Sequence, residues 1–140
     1  MTEGWRVMDA GVERAAFDVL LGEVLFRHMG PGRVQVRITP GAEAENVFGT
    51  LHGGYLAAVA EQTMFLPLYL DGRIARAGVL TIDFSLRYLA GGVMRAALEM
   101  ELEVLHETGR LAFVRGTMRQ KGEILLAYES TMRKVRSATP

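Results

Sequence analysis

Between Val47 and Leu70 the chain carries one formal charge, the carboxylate of Glu61. It stands nine residues after a His52-Gly53-Gly54 triplet. An unpaired carboxylate in an apolar helix is costly to bury, so such a residue is exposed, neutralised or useful. A glycine pair just before a helix leaves backbone N–H groups open to a ligand, at the end where the helix dipole favours negative charge. Amide donors and a carboxylate base are the parts of an acyl-transfer site, in which the donors hold a developing oxyanion and the carboxylate activates or delivers a nucleophile.

The rest of the composition narrows the choices. The chain has 140 residues, enough for one core and not for two, and is expected to form a single domain over residues 1–140. Its 49% hydrophobic and 23% charged residues are ordinary for a soluble globular protein. Net charge is zero, and only the short Arg133, Lys134, Arg136 tail is basic, so no nucleic-acid partner is expected. The absence of cysteine excludes a disulfide framework, a thiolate nucleophile and a thiolate-bound metal. The three histidines, His28, His52 and His106, lack metal-ligand spacing, so no metal is expected. The start of the chain has no basic stretch leading into an apolar core. The apolar run is broken by Thr50, His52, Glu61, Gln62 and Pro67 and reads as a core helix, not a membrane span. A cytoplasmic protein with no membrane partner is the expectation.

Periodicity supplies the elements that must position Glu61 and the glycines. Asp9 is placed to cap a helix from Val12 to Leu21, with Val12, Ala15, Ala16, Val19 and Leu20 on one face and Gly22 ending it. Two strands, 23–28 and 33–39, flank the turn at Gly30-Pro31-Gly32. A loop over 40–50 leads into the main helix, His52 to Leu70, with Pro67 weakening its last turn and Asp71-Gly72 stopping it. Then come long strands. Residues 80–89 alternate with Ile82, Phe84, Leu86 and Tyr88 on one side and Thr81, Asp83, Ser85 and Arg87 on the other. Residues 94–104 alternate as well, and strands at 111–120 and 123–135 follow the turns at Thr108-Gly109 and Lys121-Gly122. Long strands on tight turns pair antiparallel. A helix apolar on most of its circumference must be covered on most of it. The expected architecture is therefore α+β: about six antiparallel strands in a curved sheet wrapped around one long central helix, with Ala57, Ala58 and Ala60 allowing close approach.

The residues Asn46, Gly49, His52, Gly53 and Gly54, followed by Glu61, resemble the N-x-x-G-x-x-H-G-G…acid motif of hotdog-fold acyl-CoA thioesterases of the phenylacetate-degradation (PaaI-like) family. Thr81 to Leu89 resembles that family's strand after the central helix, and His106 to Arg110 its later turn. Ala90 departs from it, standing where the family usually has a proline. The resemblance implies a hotdog fold and hydrolysis of a small or aromatic acyl-CoA, with coenzyme A as part of the substrate and no further cofactor. It implies Glu61 as general base or nucleophile and the Gly53 N–H as the group that polarises the carbonyl. Asn46 would position water or the acyl group, and Thr81 would hold water near the acid. His52 and Gly54 would stand at the helix start beside the substrate, with His52 organising the loop. Phe65 is a candidate wall of the acyl pocket, and Arg110 a candidate contact for the nucleotide phosphates.

Helix geometry adds a constraint. Gly53 and Glu61 are eight residues apart, which is about 12 Å along a helix. A reacting carbon must lie about 3 Å from both groups, so the two cannot come from one copy. A homodimer with two shared sites is expected, Gly53 facing Glu61 of the other copy; the resemblance implies the same, with Asn46 and Gly53 on one subunit and Glu61 and Thr81 on the other. An exposed apolar sheet face would pair two such dimers. Two other readings stay open: a hotdog hydratase or dehydratase, whose D-x-N-x-x-H motif this chain lacks, and a non-catalytic acyl-CoA binding or regulatory module, which would have little need for Glu61.

Overall fold

The computed structural model describes residues 4–9, 14–75 and 78–135. Seven strands form one antiparallel sheet: β1 (Arg6–Val7), β2 (Val24–His28), β3 (Arg33–Ile38), β4 (Val79–Tyr88), β5 (Leu98–Glu107), β6 (Leu111–Gln120) and β7 (Glu123–Lys134). Their order across the sheet is β1-β2-β3-β5-β6-β7-β4, which leaves the ten-residue β4 on an edge. The helices are α1 (Ala16–Leu21), α2 (Gly53–Thr63) and α3 (Leu66–Leu70).

The inner face of the sheet follows from alternation. Val34, Val36 and Ile38 of β3 stand in register with Leu102, Met100 and Leu98 of β5, and all six are buried. Leu126, Tyr128, Ser130 and Met132 continue that face on β7. Against it α2 packs Leu56, Val59, Ala60 and Thr63. A Cβ on Gly116 of β6 would lie 2.4 Å from the Tyr128 ring, so only glycine lets that ring cross the strand. Burial pushes the Tyr128 hydroxyl well above the ordinary range of a phenol.

The outer face is charged, not apolar. Arg33, Glu103, Arg115 and Glu129 stand in one row across β3, β5, β6 and β7, alternating in sign. Arg115 and Glu103 approach to 3.3 Å. Such a row compensates itself and gives no apolar face for pairing two dimers. The exposed apolar side chains lie elsewhere, among them Leu80, Ile82, Tyr88 and Leu89 along edge strand β4, and Val47 and Phe48 before α2.

Four expectations are corrected in detail. The helix expected over 52–70 is two helices, because Pro67 has no N–H to bond the Thr63 carbonyl one turn back. The N-terminal helix starts at Ala16 with Ala15 as its cap; Asp9 does not cap it, and Val12 lies outside the described residues. Val19 and Leu20 of that helix are exposed, while Leu21 is buried and Gly22 ends the helix at φ 86°. The strand expected from Met94 begins at Leu98, because Arg95 has a positive φ of 63° that no strand allows. Strand β4 departs from strict alternation near its start, with a register shift between Thr81 and Asp83.

Asp71, at the end of α3, ties that helix to the β2–β3 turn. One oxygen is 2.8 Å from His28 Nε2, the other accepts the Gly32 N–H at 2.6 Å, and Arg73 lies 3.3 Å away. Burial alone would raise this carboxyl, but the His28 and Gly32 hydrogen bonds and the Arg73 charge outweigh it and hold it below the usual carboxylate range. A carboxyl held low when folded stabilises above its unfolded pKa, and that stability is lost as pH falls through the folded one. Asp71→Asn is therefore expected to lower the urea midpoint at pH 7, and its deficit against wild type to shrink as pH falls through and below the ordinary carboxylate range.

Candidate active site

His52 begins α2 in an extended conformation, and its Nδ1 accepts the Gly54 N–H at 2.8 Å, an N-cap made by an imidazole. That bond spends the Gly54 donor. The Gly53 N–H, the first of the helix, has no acceptor among the described residues. On the other side of Gly53, its carbonyl accepts the Tyr88 hydroxyl at 2.7 Å, and the Tyr88 ring lies 3.3 Å from where a Cβ would stand.

Asn46 holds the loop that presents this helix end. Its Oδ1 accepts the Phe48 N–H at 2.9 Å and the Thr50 N–H at 3.0 Å, while Nδ2 reaches Thr50 Oγ1 at 2.8 Å and the Leu51 carbonyl at 3.3 Å. Gly49, at φ 78°, completes the turn. The whole carboxamide of Asn46 is thus engaged by its own loop. In the single chain it is a loop organiser, with no free donor aimed at a ligand.

Glu61 is half-buried on the last turn of α2. Its Oε1 accepts the Thr81 hydroxyl at 2.9 Å, and its Oε2 accepts the Gln62 amide at 3.2 Å. Strict alternation would turn Thr81 away from the helix, on the side of Asp83 and Ser85. A β-bulge between Thr81 and Asp83 inserts one extra residue against β7. Thr81 therefore stands opposite buried Met132, on the same face as Phe84, Leu86 and Tyr88, and reaches Glu61. The sequence pattern carried no sign of the bulge.

Glu61 and Thr81 border a cleft of about 250 Å3 whose walls include Phe65, Val79, Met132 and Met8. Phe65 is thus where an acyl wall was expected, its ring 5.9 Å from that of Tyr69. Gln62, Met8 and Asp9 at this cleft were not foreseen; only adjacency to Glu61 could have suggested Gln62. Arg110 is exposed on the β5–β6 turn, remote in the chain from both groups, with its backbone N–H on Thr108 Oγ1 at 3.2 Å. No helix among the described residues is long and apolar enough to cross a membrane, and no cluster of His, Asp and Glu among them could hold a metal ion.

The structure brings Thr81 to Glu61 and joins Asn46, His52, Gly53 and Gly54 in one N-terminal cap, but the two groups stand at opposite ends of α2. Residues 48–127 match the thioesterase superfamily, more than half of the chain. The chain is 26% identical over 114 residues to acyl-coenzyme A thioesterase 13 of Homo sapiens and of Pongo abelii, covering 81% of this chain and 80% of each relative. Among solved structures it is similar to a hypothetical thioesterase with coenzyme A from Streptococcus pneumoniae, at a TM-score of 0.76 and 20% identity over 87% of this chain and 93% of that one. Zebra fish thioesterase superfamily member 2 gives a TM-score of 0.75 at 22% identity, covering 86% and 88% of the two chains. A point mutant of the phenylacetic acid degradation protein PaaI from Thermus thermophilus gives 0.72 at 21% identity, covering 86% and 100%. These structural likenesses establish the architecture, the hotdog fold expected from the motif. The chain is a hotdog-fold member of the thioesterase superfamily.

Proposed function

We propose that this protein hydrolyses a small or aromatic acyl-CoA to the free acid and coenzyme A, as a homodimer whose two sites each combine Glu61 of one protomer with the Gly53 N–H of the other. One observation carries the reading. Edge strand β4 is bonded at one end to Glu61, through Thr81, and at the other end to Gly53, through Tyr88. Pairing this edge antiparallel with a second copy sets the Thr81 end of one strand beside the Tyr88 end of its twin. The carboxylate and the amide, about 12 Å apart within one helix, then face each other between two helices. Such pairing also covers the exposed Leu80, Ile82 and Leu89 and satisfies the open edge of the sheet.

The chemistry follows from these groups. The thioester carbonyl oxygen accepts the Gly53 N–H at the positive end of α2, where charge developing on oxygen is favoured. In one route Glu61 takes a proton from water as the water oxygen attacks the carbonyl carbon. The C–S bond breaks, and the thiolate of coenzyme A is reprotonated. In the other the carboxylate attacks the carbon itself, the C–S bond breaks and the coenzyme A thiolate leaves to be protonated, and water cleaves the resulting anhydride to the free acid and the carboxylate. Both routes begin on the same oxygen pair, which Thr81 and Gln62 hold in place. Phe65 is a wall for the acyl group, and Arg110 remains the cation assigned to the nucleotide phosphates. The proposed compartment is the cytoplasm.

Thiol release from a panel of short, long and aromatic acyl-CoA thioesters tests this function. Turnover of small or aromatic members supports it; tight binding without turnover, or hydration of an enoyl-CoA, refutes it. Within the site, Thr81→Ala is expected to lower kcat roughly tenfold, the value of one hydrogen bond to a charged group, and Thr81→Ser to restore most of it. Equal loss in both variants would show that the hydroxyl is not what matters.

A further inference from the structure

We infer that Tyr88 is a positioning residue for the Gly53 amide, a step that rests on the proposed role of that amide as the carbonyl donor. The Gly53 N–H shares its peptide with the His52 carbonyl, which accepts the Leu56 N–H at 3.1 Å. The next peptide joins two glycines, which are entropically loose, and a turn of that peptide re-aims the Gly53 N–H beside it. A donor that is to favour the transition state must be held before the substrate arrives. The structure holds this pair from both sides. The Gly54 N–H is bound to His52 Nδ1 at 2.8 Å, and the Gly53 carbonyl to Tyr88 Oη at 2.7 Å. The Tyr88 ring, 3.3 Å from the Gly53 Cβ position, blocks the space into which the peptide would otherwise turn. His52 belongs to the same loop as the glycines, whereas Tyr88 comes from the sheet, 35 residues away in the chain. It is the one described hydrogen bond that ties the Gly53–Gly54 peptide, next to the one carrying the Gly53 N–H, to β4. On the same strand Thr81 fixes Glu61. One strand thus sets both reacting groups, and in an antiparallel pair it sets them against each other across the two-fold axis. Tyr88 itself is 54% exposed, so its hydroxyl is not there for burial.

The test is Tyr88→Phe, which keeps the ring and removes the hydroxyl. With phenylacetyl-CoA, or the best substrate of the panel, kcat is expected to fall about tenfold, a fraction of what a whole oxyanion donor supplies, with KM and thermal midpoint unchanged. The Gly53 amide resonance is expected to lose order on the same substitution. Wild-type kcat, or a loss of rate matched by a fall in thermal midpoint or a rise in KM, overturns the inference. Gly53→Pro, which removes the amide N–H, run alongside separates the two ideas. A dead Gly53→Pro beside a fully active Tyr88→Phe removes only the role of Tyr88, whereas an active Gly53→Pro removes the reading on which it rests.

Discussion

Glu61→Gln is expected to lower kcat for thioester hydrolysis by about a thousandfold or more, with the fold and substrate binding retained. The expected size comes from what the substitution removes. A positioned base contributes roughly 100- to 10,000-fold, and a lost nucleophile costs at least as much. The amide is nearly isosteric and can still accept the Thr81 hydroxyl, now 2.9 Å from Glu61 Oε1. Glu61 lies at the cleft and not in the core, so its replacement leaves α2 packed through Leu56, Val59 and Ala60. The assay is free-thiol release under saturating acyl-CoA, with thermal midpoint as control. A variant that keeps more than about a tenth of the wild-type kcat would assign the chemistry to another group.

The second large effect is expected far from any reacting atom. Ile82→Lys, on the open edge of the sheet, should convert the proposed dimer to monomers and abolish turnover with it. Ile82 is the bulge residue of β4, 58% exposed, so the single chain loses little by its replacement. A lysine on an edge strand opposes pairing with another edge, and a two-fold axis places the charge there twice. Sedimentation velocity reads the assembly and thiol release the activity. A monomer that still turns over substrate would show that one copy suffices.

Both predictions depend on features legible in the sequence to different degrees. Glu61 and the His52-Gly53-Gly54 start of α2 could be read directly, because an isolated charge in an apolar run and paired glycines before a helix are local signals. The strand pairs β2–β3, β5–β6 and β6–β7 were equally legible from their turns. What escaped was set by single-residue insertions and by long-range contact. A bulge between Thr81 and Asp83 turns Thr81 inward in place of Ile82 while Phe84, Leu86 and Tyr88 keep the expected face, and period-two alternation cannot reveal where it slips. Pro67 was seen to weaken the helix, but whether a proline bends or divides it depends on what packs beyond, here the buried Leu66 and Leu68. Asn46 could be read as a turn residue or as a contact for water or the acyl group, and the positions of the Phe48 and Thr50 N–H groups show it closing its own turn. Tyr88 drew no notice as a polar residue, since its partner is a backbone carbonyl 35 residues earlier in the chain.

The shared site can be tested by mixing two inactive chains. Gly53 is the first residue of α2 and follows an extended His52, so the backbone there accepts proline, which removes the N–H while its Cβ presses on the exposed Tyr88 ring 3.3 Å away. Glu61→Gln and Gly53→Pro homodimers should each be inactive. After unfolding and refolding together, half of the dimers carry one of each, and in every such dimer one site combines an intact Glu61 with an intact Gly53. Recovery of about a quarter of the wild-type rate is the predicted result. A refolded mixture as inactive as either parent would place both groups in a single copy and contradict the account.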